Sequence, residues 1–217
     1  MAPLRFYDYA ASANCYKVRL LLAQLGREYE RIAVDIFDGD TLTDEFHEIN
    51  PARSTPVLQV SERGFLVESN AILAYLAEGT PLMPGDAFER AQVLRWLLFE
   101  QTDVMMTMGG LRFRLITGRI SADSDRARRR RDGAVSALSV LEHHLRSHDF
   151  HIGERYTIAD IALFAYVHVA PDAGVDLGAY PAVERWLERV RSQPGHVNDL
   201  QPYPANALAG AGRSIYG

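Results

Sequence analysis

Residues 4–26, LRFYDYAASANCYKVRLLLAQLG, decide the fold. Residues 4–9 form an apolar strand-like run and residues 10–14 a small polar turn. From there Cys15, Val18, Leu22 and Leu25 recur at helical spacing. That stripe predicts an inward helix face, with Lys17, Arg19 and Gln24 turned to water and Gly26 as the stop. The turn sets Ser12 and Asn14 where a helix leaves its first backbone N–H groups unpaired and its dipole positive. An anion placed there is stabilised before any side chain acts.

Ser12-Ala13-Asn14-Cys15 has the frame of a C-x-x-C redox motif whose exposed, N-terminal sulfur has become a hydroxyl. The place for a nucleophile is kept and the nucleophile is gone. Such a site suits a thiol that arrives with a ligand, glutathione being the obvious one, and its thiolate is the anion to be held. The competing reading is a plain N-cap, worth about 1 kcal/mol of stability.

With 217 residues and 47% hydrophobic side chains, the chain can bury a sizeable core in one large or two small domains. A formal charge of −5 gives no electrostatic footprint for nucleic acid or an anionic membrane surface. No apolar run approaches the roughly 20 residues of a membrane span, and the first residues lack the layout of a signal peptide. Neither nucleic acid nor membrane is therefore an expected partner. A single Cys excludes an internal disulfide and makes a reducing cytoplasm the expected compartment.

Further along, residues 31–36 read as a second strand, parallel to the first across the helical crossover. Thr41 with Asp44 reads as a capping box for a short helix that ends before Asn50-Pro51. Two apolar runs, 56–60 and 65–67, joined across 61–64, give a hairpin signal. Glu68-Ser69 then opens a helix with Ile72, Leu73 and Leu76 inward. Two prolines and two glycines within residues 79–86 mark a linker. Beyond it strand signals vanish. A helical pattern covers 87–108, is interrupted at Gly109-Gly110 and resumes to 116. Others cover 123–145, with Val135, Leu138, Leu141 and Leu145 inward; 157–169, apolar and hence central; and 181–190, with Val183, Trp186, Leu187 and Val190 on one stripe.

The order βαβ, helix, ββα is that of a thioredoxin fold in its glutathione-binding form. Added to it are SANCYKVRL at 12–20, Asn50-Pro51, Thr55-Pro56-Val57-Leu58, ESNAILAYL at 68–76 and Thr157-Ile-Ala-Asp160. On these motifs, spread nearly end to end, the chain resembles a cytosolic glutathione S-transferase of the serine-using, theta-like and bacterial groups. The resemblance implies an α/β thioredoxin-like N-terminal domain over residues 1–79, a linker at 80–86, and an all-α helical domain over 87–217 that supplies an electrophile pocket. It implies glutathione as co-substrate, no metal, and a homodimer. Ser12 ionises the thiol, with Asn14 as auxiliary donor, for attack on a small hydrophobic electrophile. Two other readings stay open: a glutathione-dependent disulfide oxidoreductase on the same fold, and a non-catalytic ligand-binding or interaction protein.

The resemblance also distributes the ligand contacts. Thr55-Pro56 is expected to be cis, which turns the backbone of Val57 toward the cysteinyl backbone of glutathione. Glu68 suits the γ-glutamyl ammonium, and Ser69 with its helix start suits the α-carboxylate. Arg53, where many relatives carry Gly-Lys, either reaches the glycyl carboxylate or faces solvent. Ser54 and Thr55 complete this group. Tyr9, Met105, Met108, Arg112 and Phe113 are the expected electrophile pocket. Tyr7 and Tyr9 are rivals to Ser12 for the thiol, since tyrosine-using relatives place a hydroxyl near the end of this strand; core packing is the expected role of both.

Cys15 reads as a small buried hydrophobe, and Thr157 with Asp160 as a capping box without catalytic weight. His143, His144, His148 and His151 read as a solvated helix face rather than a zinc site, which needs three or four ligands in fixed geometry. Arg126 and Arg128 to Arg131, bracketed by Asp123, Asp125 and Asp132, read as an exposed, salt-bridged helix.

Overall fold

The computed structural model describes residues 4–216. They fall into two compact units: the chain up to Leu76 together with the tail from Val197, and Ala77–His196. The C-terminal tail therefore groups with the first unit, whereas the resemblance implies a helical domain running over 87–217.

In the first unit β1 (Leu4–Asp8) is central. It runs parallel to β2 (Tyr29–Ala33) and antiparallel to β3 (Val57–Gln59), and β4 (Phe65–Val67) completes the order β2-β1-β3-β4. The second strand starts two residues earlier than expected because Tyr29 packs edge-on against Phe6, with ring centroids 5.8 Å apart. It ends earlier because Asp35 folds a turn: its amide donates to the Asp40 carboxylate at 2.7 Å, and its own carboxylate accepts from the Phe37 amide at 2.9 Å.

The helix α1 (Ala13–Gln24) follows the first strand and is closed by Gly26, whose φ of 59° lets the Arg27 amide reach back to the Leu22 carbonyl. Cys15, Val18 and Leu22 are buried as the stripe predicts. Lys17 and Arg19, expected in water, are buried too. Lys17 Nζ donates to Asn70 Oδ1 at 3.2 Å. Arg19 pairs with Asp8 at 2.5 Å and with Asp199 at 2.9 Å, while Arg31 takes the second Asp8 oxygen. The reason is the tail: Asp199 pairs with Arg19, and the Tyr16 hydroxyl donates to the Val197 carbonyl at 2.7 Å. Helical periodicity within α1 carries no sign of a partner 180 residues away.

The short helix α2 (Asp44–Ile49) is capped by Thr43, whose hydroxyl accepts from the Phe46 amide, and not by Thr41, which is buried in a 3-10 turn. In α3 (Ser69–Ala77), Ile72, Leu73 and Leu76 are buried as predicted.

The second unit is helical. α4 (Ala87–Phe99) runs through a π-helical stretch, Glu100–Gly109, into α5 (Gly110–Ile116). The expected break at Gly109-Gly110 is thus a widened coil just before it. A Cβ on Gly109 would lie 2.5 Å from the Tyr166 ring, so glycine permits the close approach of α7 (Ile158–Val167). That helix is buried along its whole length and opens on the predicted Thr157/Asp160 capping box. In α8 (Pro181–Arg191) the predicted stripe is buried. In α6 (Asp125–Leu145), Leu138, Leu141 and Leu145 are buried but Val135 is 42% exposed. Small residues hold that contact instead: Ala134 is buried, and a Cβ on Gly133 would lie 2.6 Å from Thr107. Among the described residues no helix is long and apolar enough to cross a membrane.

Candidate active site

In the first unit the N-termini of α1 and α3 meet. Ser12 caps α1 from extended backbone, its hydroxyl accepting from the Cys15 amide at 3.3 Å, while its own amide donates to the Tyr9 carbonyl at 3.0 Å. The turn is braced by the tail, where the Gln201 amide donates to the Ala10 carbonyl at 3.2 Å. Ser12 and Asn14 keep part of their surface open. The Ser69 hydroxyl donates to Asn14 Oδ1 at 3.2 Å. With that oxygen engaged, what Asn14 presents outward is its Nδ2 amide, a donor. Two dipoles and two hydroxyls thus gather at one place, which favours an anion.

Glu68, which precedes α3, is exposed and has a φ of 70°. Left-handed backbone costs a glutamate roughly 1–2 kcal/mol. Residues held in such conformations cluster at binding and active sites. Its carbonyl accepts from the Ile72 amide at 2.9 Å, so it also begins the helical bonding.

The loop from 50 to 54 is folded around Asn50, which the sequence reading noted as a helix end and as part of the Asn50-Pro51 motif but not as a site residue. Its Nδ2 donates to the Ser54 carbonyl and hydroxyl at 2.8 and 3.2 Å, and its Oδ1 accepts from the Ala52 amide at 3.1 Å. Asparagine folding its own backbone ahead of a proline is the signal that could have revealed it. Arg53 (φ 54°) turns Nη1 onto the carbonyls of Thr41 and Thr43, each at 3.0 Å, leaving Nε and Nη2 as its remaining donors. The Thr55–Pro56 bond is cis, and Val57 is buried in the sheet.

Cys15 is fully buried, and burial pushes its thiol up to about 11, with the Asp8 charge adding to the effect against hydrogen bonds from Thr55, Tyr9 and Ser12. It is an inert, protonated group at neutral pH. Tyr7 packs against Phe46 and Phe65. The Tyr9 hydroxyl is shut away from solvent with no hydrogen-bond partner among the described residues; burial, then the Asp35 charge, hold it protonated far above its ordinary range.

In the second unit Met108 is buried and Arg112 is paired with Asp172 at 2.9 Å. Met105 and Phe113 keep some surface, Phe113 beneath the Arg119 guanidinium at 4.9 Å. His143 and His148 are exposed, as a solvated face requires, while His144 and His151 depart from it. His151 is buried and His144 half-buried, their rings stacking with His148 beside Trp96. Among the described residues no group of three or more His, Cys, Asp or Glu is placed to hold a metal.

Comparison with known proteins bears on this geometry. The family profile "Glutathione S-transferase, N-terminal domain" matches residues 11–78, and "Glutathione S-transferase, C-terminal domain" matches 104–194. Disulfide-bond oxidoreductase YfcG of Escherichia coli is 33% identical, over 86% of this chain and 89% of that protein. The crystal structure of a glutathione S-transferase from Pseudomonas fluorescens superposes with a TM-score of 0.88 at 40% identity, covering 92% of this chain and all of that one. A glutathione transferase from Burkholderia graminis, solved with two glutathione molecules bound per subunit, superposes with a TM-score of 0.79 at 30% identity, covering 89% of this chain and 85% of that one.

Proposed function

The chain belongs to the cytosolic glutathione transferase superfamily, and we propose that it binds glutathione in its first unit and holds the thiolate at Ser12 for attack on a small hydrophobic electrophile. The observation that carries this reading is the Ser69–Asn14 bond, which couples the two helix N-termini. Ser69 and the start of α3 take the γ-glutamyl carboxylate, and Glu68 takes the ammonium. The backbone of Val57 pairs with the cysteinyl residue, and the segment from Arg53 to Pro56 borders the glycyl end. A free thiol ionises near pKa ~8.5, and lowering this by about 2 requires roughly 2.7 kcal/mol of preference for the anion. The Ser12 hydroxyl, the Asn14 amide and the α1 dipole are the groups available to supply it. The thiolate then forms the new carbon–sulfur bond as the leaving group departs with its electron pair.

Of the residues expected to meet the acceptor, Met105 and Phe113 are the ones in the second unit whose side chains keep open surface for it. A second copy of the chain covers the exposed Leu94 and Leu98 of α4, giving a homodimer, and the single cysteine suits a reducing cytoplasm. A second reading is glutathione-dependent disulfide reduction. The Escherichia coli relative's name and the two glutathiones of the Burkholderia graminis structure support it. With Cys15 buried and protonated, both reducing sulfurs then come from glutathione: one thiolate opens the substrate disulfide, and a second opens the mixed disulfide, releasing oxidised glutathione and two thiols.

A thermal melt with glutathione tests both readings, since a ligand at 100 times its Kd stabilises by about 2.7 kcal/mol. No shift at millimolar glutathione would sink both and leave a non-catalytic protein. Comparing turnover of a halogenated aromatic with that of a hydroxyalkyl disulfide chooses between them.

A further inference from the structure

The second unit gathers four arginines from α5, the turn after it and α6. Arg114 Nη1 donates to the Gly110 carbonyl at 3.0 Å, and Arg130 Nη1 donates to the Met106 carbonyl one turn earlier. The two guanidiniums close over the same backbone. A Cβ on Gly110 would lie 2.7 Å from Arg130 Nη1 and 3.2 Å from Arg114 Nη1, so the glycine is what admits both. Arg119 stands over Phe113 beside them, and Arg126 lies one helical turn before Arg130.

The sequence reading makes this basic run salt-bridged; among the described residues only Arg128 of the run is, to Asp125. Arg114, Arg126 and Arg130 have no carboxylate within ion-pair distance among the described residues. The acidic groups nearby do not compensate them: Asp172 pairs with Arg112, and the Asp103 carboxylate accepts from Thr102. The repulsion is expressed in Arg114, pulled below its ordinary range by burial and then by Arg130, Arg126 and Arg119. Arg130 is lowered by burial and by Arg126. A chain with a net charge of −5 has thus concentrated uncompensated positive charge at one place. Nε and Nη2 of Arg114 and Arg130, along with the whole Arg126 fork, remain as donors.

We propose that Arg114, Arg126 and Arg130, with Arg119 at the edge, form a binding site for a small dianionic phosphate group. A guanidinium fork pairs bidentately with a carboxylate or a phosphate, but only the phosphate has enough acceptor oxygens, and a second negative charge, to serve several forks at once, and chloride has no such geometry. The ligand is either free phosphate or a phosphate monoester, and the stack of Arg119 on Phe113 gives an aromatic ester an apolar contact.

The test is titration calorimetry of the full chain at low ionic strength with inorganic phosphate, phenyl phosphate and chloride. Binding of inorganic phosphate, with phenyl phosphate no tighter, identifies the free ion as the ligand, and tighter phenyl phosphate identifies a monoester. Losing two charge-assisted contacts should weaken phosphate binding by ~100-fold in Arg114→Met/Arg130→Met, and losing one by ~10-fold in Arg126→Gln. The double variant, relieved of like charge, should melt no lower than wild type without phosphate, a result that a merely structural role for these arginines would not give. If the double variant does not fold, the exposed Arg126 variant decides alone. Absence of phosphate binding, equal binding of chloride, or undiminished binding in the variants overturns the proposal.

Discussion

The Ser69 hydroxyl donates to the Asn14 side-chain oxygen across 3.2 Å, joining the starts of α1 and α3. This bond fixes which end of the Asn14 amide faces outward, and so makes Asn14 a donor. Glutathione affinity should therefore respond to the pair as one unit. Asn14→Ala and Ser69→Ala should each raise KM for glutathione, and the double variant should cost less than their sum by about 1 kcal/mol. Strict additivity in the double-mutant cycle would mean that the bond plays no part in holding the ligand.

Glu68 combines a carboxylate offered to the ligand with a left-handed backbone. Two substitutions separate these properties. Glu68→Gln keeps the strain and should raise KM with kcat changed less, because that contact exists equally before and in the transition state. Glu68→Gly should raise KM as well and yet raise the melting temperature, as about 1 kcal/mol of backbone strain is relieved. A glycine variant that melts lower would show that the side chain, and not the ligand, accounts for the conformation.

The sequence carried the elements whose determinants are local. The Thr157/Asp160 box, the Gly26 stop and the buried stripes of α3 and α8 lie within a few residues of the features they produce. The buried Lys17 and Arg19 were illegible because Asn70 and Asp199 come from distant chain, and the tail that carries Asp199 has no helical or strand periodicity to announce it. The same applies to the site. Ser12, Asn14 and Ser69 could be named from their positions at helix starts, whereas the bond between two of them is a tertiary fact. His144 and His151 were misread because their spacing in the sequence gives no sign of Trp96 on α4.

Acid should loosen the helical unit. His144 is held down to about 4 by burial and then by its neighbours His151 and His148; His168 is held to about 4 chiefly by burial. An unfolded histidine titrates near 6.5. Between pH 6.5 and 4 the unfolded chain therefore binds protons that the folded chain refuses, so stability falls as pH falls through that window and is not lowered further by these groups below it. The loss at pH 5 should be on the order of 1 kcal/mol per histidine after allowance for partial exposure. Melts from pH 7 to 4 should show it, with a shallower slope in His144→Gln. An unchanged slope would remove His144 from the account.

The contact between the π-helical stretch and α7 depends on a missing side chain. Gly109→Ala places a methyl 2.5 Å from the Tyr166 ring and should destabilise by about 1–3 kcal/mol. Gly85→Ala, where nothing lies within 4 Å of the added carbon, should be neutral or slightly stabilising. Urea denaturation of the two variants compares them directly. Equal midpoints would mean that the Tyr166 ring yields without cost.

Ser12 has two roles that one substitution removes together. Its hydroxyl caps α1 through the Cys15 amide, so Ser12→Ala should lower stability by about 1 kcal/mol even without ligand. If the same hydroxyl also holds the thiolate, the variant should bind glutathione nearly as well but with a raised thiol pKa, so that kcat falls at neutral pH and partly recovers in alkali. Tyr9→Phe is the matched control. Its hydroxyl is buried without a partner, so its loss should leave the thiol pKa alone and cost no stability. Ser12→Cys should differ from both, since a thiol at a helix N-terminus ionises readily and forms a mixed disulfide with glutathione, favouring exchange over conjugation. Cys15, pushed up to about 11 by burial, should not replace it. Titrating the absorbance of bound thiolate in the wild type and in Ser12→Ala, Tyr7→Phe and Tyr9→Phe separates the candidates. A pKa moved by a tyrosine variant and unmoved by Ser12→Ala would transfer the role to the end of β1, with the family assignment intact.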